Sequence, residues 1–157
     1  MGNNFERTRN RFNGMKLAYQ GDQKRKLKDY EGALDYLNQA DQLDPNNEYI
    51  LVRRGIARRL FGDIEGALED LNRADQLWTN NAFTLRNRGA TKRLIGDYEG
   101  ALDDLNRADQ LGPNNAFTLR NRGDIKRLLD DWNGALEDLN RADQLKPNNA
   151  FTLNRRG

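Results

Sequence analysis

Three adjacent carboxylate pairs, Glu69–Asp70, Asp103–Asp104 and Glu137–Asp138, are the residues that come nearest to general acid–base chemistry. That chemistry needs two carboxyl groups aimed at one bond, and neighbours on a helix point about 100° apart. The pairs also recur at one fixed interval, as a solvated face would, with Asp35–Tyr36 at the same place in the first stretch. The chain has no His, Cys or Ser, which removes the common general base, the common nucleophiles and the usual zinc ligands. No Gly-rich phosphate-binding motif accompanies its Thr and Lys side chains. These residues predict no enzyme: no catalytic residue, no metal and no cofactor.

Anion recognition is the other chemistry available. Arg86, Arg88, Lys92 and Arg93 crowd one stretch, and the next holds Asp97, Glu99, Asp103, Asp104 and Asp109 against Arg107 alone. One use of this segregation is internal: basic segments packed beside acidic ones form ladders that fix pairing and register, with each exposed pair contributing ~0 to 1 kcal/mol. The other use is to present guanidinium groups to an acidic ligand. The net charge is only +2 despite a pI near 9.0, too little to imply nucleic acid or an anionic membrane by itself.

The elements that must position these charges follow from a repeated word. Gly-Ala-Leu begins at Gly32, Gly66, Gly100 and Gly134, equally spaced, and Ala82–Asn115 differs from Ala116–Asn149 at eight positions. A fixed period in this range marks units that bury their apolar faces against one another. That reconciles 36% apolar residues, 32% charged residues and a mean hydropathy of -1.01 with a folded chain. Within a unit, Ala82 to Ile95 lacks proline and reads as a first helix. Gly96-Asp97 supplies a break and an N-cap. Tyr98, Ala101, Leu102, Leu105, Ala108 and Leu111 then lay an apolar stripe along a second helix, opposite Asp103, Asp104, Arg107 and Asp109. Gly112-Pro113-Asn114-Asn115 ends it.

A 34-residue helical hairpin with these small residues resembles the tetratricopeptide repeat. The resemblance rests on the glycine column Gly21, Gly55, Gly89, Gly123, the alanine columns Ala33, Ala67, Ala101, Ala135 and Ala40, Ala74, Ala108, Ala142, and the turn prolines Pro45, Pro113 and Pro147, replaced by Thr79 in the second unit. Tyr30, Ile64, Tyr98 and Trp132 take the family's aromatic place, although isoleucine departs from it. The implied fold is all-α, a right-handed α-solenoid of antiparallel helix-turn-helix units at 14–47, 48–81, 82–115 and 116–149. Residues 1–13 form an N-terminal extension, helical or frayed, and 150–157 begin a fifth unit. Two columns depart from the family. Gln20, Arg54, Arg88, Arg122 and Lys24, Arg58, Lys92, Lys126 stand where large apolar and aromatic residues are usual. A buried guanidinium there needs a hydrogen-bonded acid, and Asp70, Asp104 and Asp138 are the candidates. The Gly32 column, where the family often has Glu, has no explanation in the sequence.

The resemblance implies a non-catalytic protein-interaction scaffold. First helices would line a concave groove, with Arg59, Arg86, Asn87, Arg93, Arg120, Asn121 and Arg127 as peptide-binding candidates and Arg25 beside them. A positive groove favours an acidic peptide, a free carboxylate or a phosphorylated segment. The family's chaperone-binding branch grips a terminal carboxylate with groove asparagine, lysine and arginine. Here the column holds Asp22, Ile56, Ala90 and Asp124, which argues against a chaperone adaptor. No base-reading code is visible, so nucleic acid enters only as weak nonspecific polyanion binding. A structural or engineered repeat protein without a dedicated ligand is the other alternative, and near-identical units fit a fragment of a longer array or a recent duplication equally well.

Phe83, Phe117, Phe151 and Tyr49 read as packing between units, with groove aromatics as the alternative. The abrupt fifth unit predicts fraying of Phe151 to Gly157 or end-to-end self-association through Trp132, Leu136 and Leu139. No apolar run approaches the ~18 residues that span a bilayer. The start, Met1-Gly2-Asn3-Asn4, lacks a signal peptide's apolar segment. The expectation is a soluble, cytoplasmic chain with no membrane partner.

Overall fold

A computed structural model of the protein describes residues 3–146; the expectations for Pro147 and for the fifth-unit start at 150–157 lie outside them. Among the described residues the secondary structure is helical: α1 (Asn4–Lys26), α2 (Tyr30–Leu43), α3 (Glu48–Phe61), α4 (Ile64–Leu77), α5 (Ala82–Leu94), α6 (Tyr98–Leu111), α7 (Ala116–Leu128) and α8 (Trp132–Leu145). Two compact units divide the chain, Met1–Thr79 with α1 to α4 and Asn80–Gly157 with α5 to α8. In the first, α1 pairs with α2 and α3 with α4, and α2 packs on α3. The second repeats this, with α5 on α6, α7 on α8, and α6 packed on α7.

The turn inside each hairpin is set by four residues in the left-handed region: Lys28 (φ 62), Gly62 (φ 106), Gly96 (φ 78) and Asp130 (φ 61). Just beyond them the N–H groups of Asp29, Asp63, Asp97 and Asp131 return to the carbonyls of Lys24, Arg58, Lys92 and Lys126, closing the first helix. The same aspartates then start the second helix, their carboxylates accepting the N–H of Gly32, Gly66, Gly100 and Gly134 at 2.9 to 3.0 Å. These caps stand directly against the glycine column. A Cβ at Gly66 would collide with the Asp63 carboxylate, and one at Gly32 would lie 2.5 Å from that of Asp29. The capping carboxylate occupies the space a side chain would take.

The other glycine column lets two helices touch. A Cβ on Gly21 or Gly89 would stand 2.8 Å from Cγ of Leu37 or Leu105, and about as close to the carbonyl of Ala33 or Ala101. Leu37, Leu71, Leu105 and Leu139, with the alanines flanking them, are the buried spine of the hairpins. Each such leucine contributes roughly 1.5 to 3 kcal/mol by leaving water. Loops between hairpins are fixed differently. Asn46, Asn80 and Asn114 adopt positive φ, and their side-chain oxygens accept from Arg73 (2.6 Å), Arg107 and Arg141 (3.1 Å). The following Asn47, Asn81 and Asn115 cap α3, α5 and α7.

Three details sharpen the expected pattern. Leu94 and Ile95 are about half exposed, because α5 ends at Leu94 and the pair overhangs the turn. Leu139 is buried against Gly123 of its own hairpin, so of the three apolar residues expected to be uncovered only Trp132 and Leu136 are exposed. Helix α1 has 23 residues against 13 or 14 in the other first helices, so residues 4–13 continue it in the N-terminal direction. No described helix is long and apolar enough to cross a membrane.

Candidate anion-binding face on the first helices

The acidic pairs of the second helices are not a solvated face. Glu69, Asp103 and Glu137 are exposed, but Asp70, Asp104 and Asp138 are buried. Each buried carboxylate takes a two-pronged bond from the arginine of its own hairpin. Arg54 Nε and Nη2 reach Asp70 at 2.8 Å, Arg88 reaches Asp104 at 2.8 and 2.7 Å, and Arg122 reaches Asp138 at 2.7 Å twice. A second cation one turn on completes each site: Arg58 at 3.1 Å, Lys92 at 2.9 Å and Lys126 at 2.9 Å. Burial pushes the Asp138 carboxyl upward, but Arg122 and Lys126 more than offset it and hold it below its ordinary range. These arginines are structural. Arg54 also reaches Asp41 of α2 at 2.8 Å, and Arg122 reaches Asp109 of α6 at 3.2 Å, tying one hairpin to the next.

A second set of guanidinium groups lies on another face of the first helices. In α5 and α7 the positions 83, 86, 90, 93 and 117, 120, 124, 127 each follow one helix face. They bring together Phe83, Arg86, Ala90 and Arg93 with Phe117, Arg120, Asp124 and Arg127. Asp124 is the only acidic residue of the two helices. It is buried and receives Arg93 Nη1 at 3.0 Å from across the helix pair and Arg127 Nη2 at 3.6 Å. Arg120 is half-buried on the same face.

Arg86 differs from these. It is half-buried and its guanidinium sits over the Phe83 ring, 5.1 Å from the centroid. Among the described residues no carboxylate comes within ion-pair distance of it. Burial alone pushes its pKa down from the ordinary arginine value. Asn87 and Asn121 are buried behind the face, their amides donating to the Phe83 and Phe117 carbonyls of their own helices at 2.8 and 2.9 Å.

The first unit offers a variant. Asp22, buried on α1, takes Arg25 Nε at 2.9 Å, Lys26 at 3.3 Å and Arg53 of α3 at 3.8 Å. Burial raises its pKa, but these cations lower it further than burial lifts it. Arg53 lies 4.6 Å from the Tyr49 ring centroid, and Arg59 is half-buried further along α3. Arg53 is not among the candidates read from the sequence, although its four-residue spacing from Tyr49 on a helix is a readable signal. No cluster of three or more acidic side chains suited to a metal ion occurs among the described residues.

The family model described as tetratricopeptide repeat matches residues 21–47, the end of α1 and all of α2. The unit it matches recurs along the chain at the 34-residue period. The chain resembles the tetratricopeptide repeat family over residues 21–47 and has its helical-hairpin fold. Solved structures agree on the fold. PilF of Pseudomonas aeruginosa superposes with a TM-score of 0.82 at 20% identity, covering 96% of this chain and 67% of that one. YrrB, described as a tetratricopeptide protein with an unusual peptide-binding site, gives 0.71 at 22% identity, covering 85% and 69%. The first tetratricopeptide domain of Spaghetti (RPAP3), bound to the HSP90 peptide SRMEEVD, gives 0.72 at 24% identity, covering 76% and 95%. No curated protein matches the chain significantly. Within this tetratricopeptide-like array, the repeated geometry of the hairpin is carried by a buried arginine–aspartate pair in every hairpin from α3 onward.

Proposed function

We propose that the protein is a non-catalytic interaction scaffold whose α5–α7 face takes an acidic peptide segment. The observation that carries this reading is Arg86, a half-buried guanidinium stacked on Phe83 with no acid of its own among the described residues. Removing a cation from water without an anion is unfavourable, and an arriving carboxylate would relieve it. Arg93, Arg120 and Arg127 around it face the single acid Asp124, so the field of the two helices stays positive. Phe83 and Phe117 offer flat apolar area on which a peptide backbone could lie. Two structural neighbours are peptide-binding tetratricopeptide proteins by their descriptions, one of them holding a peptide that ends Glu-Glu-Val-Asp, which supports the class of ligand.

The test is fluorescence anisotropy with a short Asp/Glu-rich peptide, a neutral peptide of equal length and single-stranded RNA. The acidic peptide is expected to bind saturably, to weaken at least about tenfold from low to physiological salt, and to be lost in Arg86→Glu/Arg120→Glu. Equal binding of all three probes, or acidic-peptide binding untouched by that variant, would reject the site.

A further inference from the structure

The N-terminal part of α1 carries a second surface, independent of the α5–α7 face. Phe5, Phe12 and Tyr19 stand seven residues apart and are 84%, 71% and 60% exposed, with Thr8 and Met15 between them. The alternating steps of three and four trace an apolar seam over two heptads. Thr8 donates its hydroxyl to the Asn4 carbonyl at 2.8 Å, which satisfies that polar group within its own helix. Arg9 and Lys16 follow the seam on one side and Arg11 on the other, at the positions that decide partner choice in paired helices. Among the described residues Arg7, Arg9, Arg11 and Lys16 form no ion pair, unlike the arginines of the buried ladder. Glu6 is the only acid in residues 1–21.

The seam opens into a cleft. Arg7, Thr8, Arg11 and Met15 line a depression of about 650 Å³ together with Tyr49, Leu77 and Trp78 and the acids Asp44 and Glu48. Trp78, at the C-terminal end of α4, is 64% exposed. An apolar seam of heptad spacing that leads into a cleft between helices fits a rod better than a plane. Cations on both flanks repel an identical helix and attract one flanked by acids.

From this we infer that α1 docks an amphipathic helix of another protein, whose apolar seam packs on Phe5, Phe12 and Met15 and whose flanking Glu or Asp residues pair with Arg9, Arg11 and Lys16. The seam and its flanks select against a second copy of this chain, because the same basic positions would face each other.

The full chain is titrated with a synthetic helical peptide carrying Leu along its seam and Glu at the flanking positions, followed by Trp fluorescence and peptide anisotropy. Comparison probes are the same peptide with Lys at the flanks, and phosphatidylcholine vesicles containing about one-third phosphatidylserine. Binding of the Glu peptide alone is expected, with a gain of peptide helicity by circular dichroism. Phe5→Ala/Phe12→Ala should weaken it at least about tenfold. Arg9→Glu/Arg11→Glu should transfer the preference to the Lys peptide. All four side chains are exposed, so an unchanged far-ultraviolet spectrum shows that the fold survives. Phe5→Ala/Phe12→Ala should leave binding of a short Asp/Glu-rich peptide to the α5–α7 face intact, which separates the two sites. Equal affinity for both peptides, preferential binding to vesicles, or self-association that depends on Phe5 and Phe12 would each overturn the inference.

Discussion

Asp138 holds Arg122 by two parallel bonds of 2.7 Å, one to Nε and one to Nη2, in a site where both groups are buried. Removing one partner leaves a buried charge uncompensated. Asp138→Ala is therefore expected to lower unfolding free energy by about 3 to 5 kcal/mol in urea denaturation. The double change Arg122→Met/Asp138→Leu should recover most of that loss, since a buried pair adds little over apolar packing of similar volume.

The same site sets an acid limit. Asp138 and Asp22 have folded pKa values depressed below the ordinary 3.8. A depressed carboxyl contributes stability that is fully present above the unfolded value and is lost as pH falls from there through the folded value. Stability should be flat near neutrality and decline below about pH 4. In Asp138→Asn that decline should be shallower than in the wild type, measured as urea midpoints at both ends of the range.

The two glycine columns should respond differently to alanine. At Gly89 a Cβ meets the Leu105 Cγ at 2.8 Å and the Ala101 carbonyl at 3.1 Å, so Gly89→Ala forces the hairpin apart at a cost of about 1 to 3 kcal/mol. At Gly100 the obstacle is the end of the Asp97 side chain. Losing part of that cap costs about 1 kcal/mol, and alanine's better helix propensity returns about the same. Gly100→Ala should be close to neutral, and thermal melts of the two variants decide it.

Lys28 and Asp130 occupy the left-handed position that Gly62 and Gly96 fill in the other hairpins. The left-handed conformation costs a non-glycine residue about 1 to 2 kcal/mol, more than glycine's extra chain entropy of about 0.5 to 1 kcal/mol. Lys28→Gly and Asp130→Gly are each expected to raise Tm by a few degrees, roughly 2 to 4 °C per kcal/mol for a chain of this size. A lower Tm would show that the side chains contribute more at the turn than its geometry suggests.

Much of this was legible beforehand because it is periodic. The glycine column at Gly21 and its repeats, the two alanine columns, the hairpin turn at Gly96, and the partners of Arg54, Arg88 and Arg122 all follow from small or charged residues returning at one interval. What could not be read was how a repeated residue divides its contacts. Asp103 and Asp104 are adjacent and chemically alike, yet one is in water and the other is buried, because helix rotation decides which faces the neighbouring arginine. Asn87 and Asn121 stand beside the groove arginines in sequence, but the same rotation turns them inward. That the Gly32 column faces a capping carboxylate three residues earlier needed coordinates.

The bridges from Arg54 to Asp41 and from Arg122 to Asp109 both reach back 13 residues, and the bonds to Asp70 and Asp138 both reach forward 16. The α3–α4 and α7–α8 hairpins thus carry the same link back to the hairpin before them. A change of one whole repeat at either of these joints keeps the partners in register, whereas a deletion slightly longer or shorter there breaks that joint. Each of these two joints therefore accepts a change of length in whole repeats without redesign.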